Sequence, residues 1–216
     1  MGLITIRGHL GRGAPEIGKL IASRLHIDYV DREIIAEVAK SINWSEESAA
    51  TKEMPNGSLF GRIVEALGRA YPAVAGYSGA YLPTWELPLD DAAYFVGLQT
   101  AITTLAENKA LVLRGRGSQF ILKDFPGAIH ILVGAPLELR IKRVMESSTE
   151  DEAEAKKEIE RFNSSRRVFT KRYFQADLED PLNYDLVINT ADFSYEAAAS
   201  IIIRASSFKE NVSARN

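Results

Sequence analysis

The sequence predicts an α/β fold, a mostly parallel sheet covered by helices on both faces. Three observations carry that prediction. Five short apolar runs recur along the chain: Leu3–Ile6, His26–Val30, Ala110–Leu113, Ile129–Val133 and Leu186–Asn189. Segments with helical spacing of apolar residues separate them. Each run is nearly continuous in apolar residues and does not alternate, as expected of strands buried on both sides.

The elements follow in order. Leu3–Ile6 is short and β-branched, and it meets a turn holding Gly8, Gly11 and Gly13. Pro15 suits the first turn of a helix, where its missing N–H costs nothing. Ile17, Leu20, Ile21 and Leu25 then repeat at helical spacing. After the second strand, Asp31 can cap a helix over 32–41. From Asn43 to Leu89 the periodicity breaks, with Pro55, Asn56-Gly57, Pro72, Gly76, Gly79, Pro83 and Pro88 as punctuation. Loops and short helices are expected there, around an amphipathic piece at Leu59–Leu67. Asp90-Asp91 opens a long helix to Asn108. A helix from Leu137 and a charged helix over Glu150–Tyr173 separate the last two strands. Ser194–Phe208 closes the fold, and the last eight residues are expected to fray.

Bulk properties narrow the function. With 216 residues and 46% hydrophobic content, the chain supports one well-packed core and a small inserted subdomain. A net charge of −3 excludes a chain that is basic throughout and binds nucleic acid by charge. Cysteine is absent, which removes disulfides, thiolate metal sites and a Cys nucleophile. His9, His26 and His130 lie far apart, so no metal site is expected from them. No run approaches the roughly 18 apolar residues of a membrane span, and the first strand begins without a signal-like region. A cytoplasmic protein with no membrane partner is expected.

The glycine turn is the first candidate site. Ligands of such sheets sit at the carboxyl ends of the strands. A glycine turn entering a helix offers free N–H groups and a positive helix end to an anion. Gly13 to Lys19 also spells GxxxxGK, but Leu20 follows where Ser or Thr should stand. Gly18 and Lys19 fall a full turn inside the helix, so that literal match is a decoy. The turn itself has two readings, an anion cup between Gly8 and Glu16 or a tight connection that needs glycine for its dihedrals.

Longer blocks narrow the choice. Residues 4–40, ITIRGHLGRGAPEIGKLIASRLHIDYVDREIIAEVAK, resemble the opening of the cytidylate kinase-like family: a strand, a G-S-G-G-R-E-I-type turn, a helix, then YYDRELI. The resemblance resumes at LVLRGRGSQFIL (111–122), where the family has GR-x-A-D-x-I-L. It continues through PGAIHILVGAPLELRIKRVM (126–145) and DPLNYDLVINT (180–190). It implies a P-loop NTPase-type five-stranded parallel sheet within a single domain, with a helical acceptor-side insertion at 43–89 and an Arg-rich lid at 140–175. The implied reaction is magnesium-dependent phosphoryl transfer from ATP to CMP or dCMP.

The same resemblance assigns residues. Gly8, Gly11, Arg12, Gly13, Ala14, Pro15 and Glu16 form the ATP-side turn, and Arg140, with Arg143, contacts the donor nucleotide. Asp31, Arg32, Arg116 and Gln119 face the acceptor, although Asp31 can equally be only a helix cap. A guanidinium fork at Arg116 suits a phosphate. Arg116, Arg166 and Arg172 stabilise the transferring group, Arg166 standing three residues after Asn163 as in the family's D-x-x-R lid pattern.

Departures from the pattern thin the site. Ala14 stands where ordinary monophosphate kinases have a Lys, and Pro15 and Glu16 follow with no Ser or Thr. Gln119 and Asn163 replace family Asp residues. Arg12 is the candidate to restore the missing charge, and Glu16 could hold magnesium through water. The aromatics Tyr71, Tyr77, Tyr81 and Trp85 fit a core, a homodimer surface or a base-stacking role. Three functions stay open: a kinase acting on a nucleoside monophosphate, the same architecture with another acceptor, and a catalytically weakened nucleotide-binding or protein-interaction module. The basic stretch 161–172 is too short to argue for nucleic acid in an acidic chain.

Overall fold

A computed structural model describes residues 2–31, 59, 62, 63, 66, 92–108, 110–148 and 151–213. The chain divides into two compact units: Met1–Tyr29 with Leu111–Asn216, and Val30–Ala110.

The first unit is built on the sheet. Its strands are β1 (Ile4–Gly8), β2 (Asp28–Val30), β3 (Leu111–Arg114), β4 (Ile129–Gly134) and β5 (Leu186–Asn189), in the order β2-β3-β1-β4-β5. All five residues of β1 are buried, which places its unbroken apolar run at the centre of the sheet. The pairings of β1 with β3, β1 with β4 and β4 with β5 are parallel, with Ile6 opposite both Arg114 and Ile131. Each strand coincides with one of the five apolar runs, shifted by two residues or fewer at either end.

The helices are α1 (Ala14–Leu25), α2 (Ala92–Asn108), α3 (Ser118–Ile121), α4 (Leu137–Ser147), α5 (Glu152–Phe174) and α6 (Tyr195–Ser213). α1 packs on α6. Ile17 and Ile21 of α1 and Ala198, Ala199 and Ile202 of α6 are all fully buried. Each such isoleucine contributes about 1.5–3 kcal/mol by leaving water. α4 and α5 close around Val144, Ala155 and Ile159, with Leu10 and Ile141 packed against them. Asp151 caps α5 by accepting the Glu154 N–H at 2.9 Å.

Two expectations need correction. α3 was not foreseen, because four residues show no periodicity. The C-terminal stretch expected to fray instead carries α6 on to Ser213. Near that end, Lys209 Nζ donates to Asp185 at 2.6 Å, and the same carboxylate accepts the His130 N–H at 2.8 Å.

In the second unit, Ile63 and Ala66 are buried, and Arg62 Nη2 donates to the Leu105 carbonyl of α2 at 3.1 Å. The helix expected over 32–41, Arg32, and the aromatics Tyr71, Tyr77, Tyr81 and Trp85 lie outside the described residues.

Candidate active site

Because β1 and β3 are neighbouring parallel strands, the segments that follow them leave the same end of the sheet. The Gly115 N–H donates to the Ile6 carbonyl at 3.3 Å, joining the two exits. One is the glycine turn 9–13; the other is the Arg116 loop.

The turn is tightly folded. The Arg12 N–H reaches the His9 carbonyl at 3.1 Å, and Gly13 caps α1 with φ +84°. A Cβ at Gly13 would stand 2.2 Å from the Tyr195 ring, so only glycine fits there. Glycine also brings no side chain to cap the helix. The first-turn N–H groups of Ala14 and Glu16 therefore keep the anion-seeking character of a helix start, while Pro15 contributes none. Lys19 is exposed within the helix, away from the turn.

Side chains hold the turn's carbonyls from outside. Arg140 Nε donates to Leu10 O at 2.8 Å, and Arg143 Nη1 to Gly11 O at 3.1 Å. Thr190 Oγ1 accepts from Arg143 at 2.8 Å and donates to Arg12 O at 3.0 Å. Arg140 also reaches Asn163 Oδ1 at 3.0 Å and is 4% exposed. With Nε on Leu10 and Nη2 on Asn163, Arg140 shapes the turn and ties it to α5. Burial, with the charge of Arg12 adding, lowers its pKa to about 10, so it stays cationic.

Arg12 folds back onto the protein. Its Nη2 donates to Glu179 Oε2 at 2.9 Å, while its Nε takes no partner among the described residues. The other Glu179 oxygen bonds His9 Nε2, and Arg7 Nη2 lies 3.3 Å from the His9 ring nitrogens. Burial pushes His9 down to about 4, against the opposing pull of its bond to Glu179. Burial alone would push Glu179 up. The bond from His9 and the charges of His9 and Arg12 outweigh it and hold the carboxyl near 2. A neutral His9 thus donates to an ionised Glu179.

The Arg116 loop has three successive left-handed residues: Gly115 at φ +80°, Arg116 at +59° and Gly117 at +70°. For arginine that conformation costs about 1–2 kcal/mol, and such strain concentrates at functional sites. Ser118 follows, 1% exposed, and its Oγ has no partner among the described residues. Gln119 Nε2 donates to the Tyr184 hydroxyl at 3.2 Å, and Tyr184 donates to Leu178 O at 2.8 Å. The Gln119 amide is thereby tied inward to the segment before β5.

On α5, Arg166 is half-buried, with its guanidinium 4.8 Å from the Phe162 ring centre, and Phe162 lies edge-on to His9. Arg161, Arg167, Lys171 and Arg172 are exposed. The two α5 arginines read as catalytic therefore lie on different faces of the helix. Asp31 is buried in the second unit. Sequence reasoning missed Arg7, His9, Ser118 and Glu179. Glu179 stands 167 positions from Arg12, and no local signal joins them.

Residues 3–192 match the cytidylate kinase-like family. The chain belongs to that family. It is 33% identical over 206 residues to a cytidylate kinase of Methanococcus aeolicus, covering 94% of this chain and 96% of that enzyme. It is 24% identical over 189 residues to a cytidylate kinase of Methanosarcina barkeri, covering 87% and 86%. A stretch of 92 residues, 43% of the chain, is 32% identical to a uronate isomerase of Corynebacterium glutamicum, but spans only 18% of that enzyme. Among solved structures, an uncharacterized protein of Eubacterium ventriosum matches at TM-score 0.63 and 20% identity, covering 96% of this chain and 99% of that one. A shikimate kinase of Bacteroides thetaiotaomicron matches at TM-score 0.50 and 10% identity, covering 96% and 98%. These likenesses fix the fold, and the family places the chain among the nucleotide kinases. Among the described residues no helix is long and apolar enough to cross a membrane.

Proposed function

We propose that the protein transfers the γ-phosphoryl group of ATP to a nucleoside monophosphate, with CMP or dCMP as the acceptor. The observation that carries this reading is the pairing of two anion-seeking elements on adjacent parallel strands: the uncapped start of α1 after β1, and the strained Arg116 after β3. The resemblance to cytidylate kinases supports CMP or dCMP as the acceptor.

In the reaction an acceptor phosphate oxygen forms a bond to the γ-phosphorus. The bond from that phosphorus to the β,γ-bridging oxygen breaks, and ADP leaves. Protein catalysis of this step is positioning plus charge stabilisation. The Ala14 and Glu16 amides face the donor phosphates, and Arg116 and the Ser118 hydroxyl hold the acceptor phosphate. Arg166, on the inner face of α5, meets charge developing on the transferred group. Magnesium binds through one or two carboxylates and the substrate phosphates; Glu16, exposed on the first turn of α1, is the carboxylate at the turn.

A second reading rests on specific residues. Ala14 brings no cation, Pro15 no N–H, and Arg12 is neutralised by Glu179. Losing one charge-stabilising group costs about 3–4 kcal/mol of transition-state stabilisation. A nucleotide-binding module that has lost most turnover would look the same.

Thermal melting with ligands separates these outcomes. At a hundredfold excess over its dissociation constant, ATP or CMP should stabilise the protein by about 2.7 kcal/mol, roughly 5–10 °C for a chain of this size. Arg116→Ala should abolish the CMP shift and keep the ATP shift. Shifts without ADP release would favour the module, and no shift with either nucleotide would overturn both readings.

A further inference from the structure

We propose that Phe174, the last residue of α5, is the positioning residue that seats the Arg116 loop. This rests on the reading of Arg116 as the acceptor-phosphate ligand. The geometry is specific. A Cβ on Gly117 would lie 2.4 Å from Phe174 Cε2 and 2.6 Å from Cζ, so the ring is pressed directly on that backbone. At Gly115, by contrast, an added Cβ would meet nothing within 4 Å. Among the described residues, the ring of Phe174 therefore closes the loop at Gly117, while nothing closes it at Gly115.

Phe174 is itself held firmly. It stacks on Phe120 of α3 with centroids 4.8 Å apart and planes at 28°, and Phe169 meets it edge-on at 6.1 Å. The ring thus sits between the helix that follows Arg116 and the long helix that carries Arg166. A left-handed arginine persists only where its surroundings over-determine it. The backbone supplies part of that constraint through Gly115 N–H to Ile6 O and Ser118 N–H to Gly115 O at 3.1 Å. Phe174 adds a side-chain constraint at Gly117. It links the placement of Arg116 to the end of α5, so movement of that helix is felt at the acceptor phosphate.

Two variants of the same aromatic cluster test this. Phe174→Leu removes the ring from Gly117; Phe169→Leu loosens the cluster without touching the loop. Hydrogen exchange of the peptide containing Gly115 and Ser118 should quicken about tenfold in Phe174→Leu, as expected for about 1.4 kcal/mol of local opening, and much less in Phe169→Leu, which keeps the Phe174 ring on Gly117. In steady-state assays Phe174→Leu should raise the KM for the monophosphate about tenfold or more with the KM for ATP unchanged, since small misplacements of a substrate-positioning group are costly. Unchanged exchange in Phe174→Leu, or equal effects in the two variants, would overturn the proposal. So would quickened exchange with an unaltered monophosphate KM. Quickened exchange in a protein whose wild type turns over no monophosphate would leave the loop seated as described and would instead sink the kinase reading.

Discussion

At the scale of single residues, Arg116 and the His9–Glu179 pair carry the sharpest consequences. Arg116→Ala should lower kcat/KM for the monophosphate by about 10²–10³, the usual range for removing one preorganised donor. Arg166→Ala should instead act mainly on kcat, since the proposed role of this side chain is to meet charge that develops during transfer. Arg116 and Arg166 could be proposed from the sequence because each lies in a short local pattern. Arg7, His9 and Glu179 were not, since their partnership exists only after β1 and the segment before β5 are brought side by side.

The His9–Glu179 pair also sets a pH dependence. The folded His9 pKa of about 4 lies below its ordinary 6.5, and that of Glu179, about 2, below 4.5. Both are depressed, so the unfolded chain takes up each proton first. Their stabilisation is complete above 6.5, declines between 6.5 and 4 as His9 resists protonation, and declines further between 4.5 and 2 through Glu179. Melting temperature measured against pH should fall through these windows. In His9→Gln the slope between 6.5 and 4 should flatten; an unaltered slope there would show that His9 is not the group responsible.

At the scale of elements, the glycine turn is held by neighbours as much as by its own sequence. Gly13→Ala should cost the 1–2 kcal/mol of a left-handed alanine and more from the contact with Tyr195. Tyr195→Ala in the same chain should recover the second part, and a chemical-denaturation double-mutant cycle reads that coupling directly. If Gly13→Ala is neutral, the turn is looser than described. The strands were readable because parallel strands buried on both faces must be continuously apolar, as at Ile129–Gly134. α3 was unreadable because Gly117 starts it in a left-handed turn and four residues leave no repeat. The partners of Arg140 were unreadable for a similar reason: only packing shows its guanidinium turned onto Leu10 and Asn163.

At the scale of the whole molecule, topology is what makes a site. The order β2-β3-β1-β4-β5 puts β1 beside β3, so two segments about a hundred residues apart in sequence open side by side. Alternation of apolar runs and helical periods was enough to foresee a mostly parallel sheet covered by helices, but not the order of its strands. Acceptor choice was not legible, since the stretch 43–89 has neither a period nor a motif to fix it. Asp185 joins the start of β4 to the far end of α6. Asp185→Asn should lower stability by about 1.5–3 kcal/mol, the range for hydrogen bonds to a charged group, with kinetics little altered; a loss of activity without a loss of stability would contradict that purely structural role.

The most direct test of the central claim is to incubate the protein with CMP or dCMP and magnesium ATP and to separate the nucleotides by anion-exchange chromatography. The account predicts that the nucleoside diphosphate and ADP appear in equal amounts, and that both fall at least about a hundredfold in Arg116→Ala. No nucleoside diphosphate from either substrate, in a protein that ATP stabilises against heat, would contradict it.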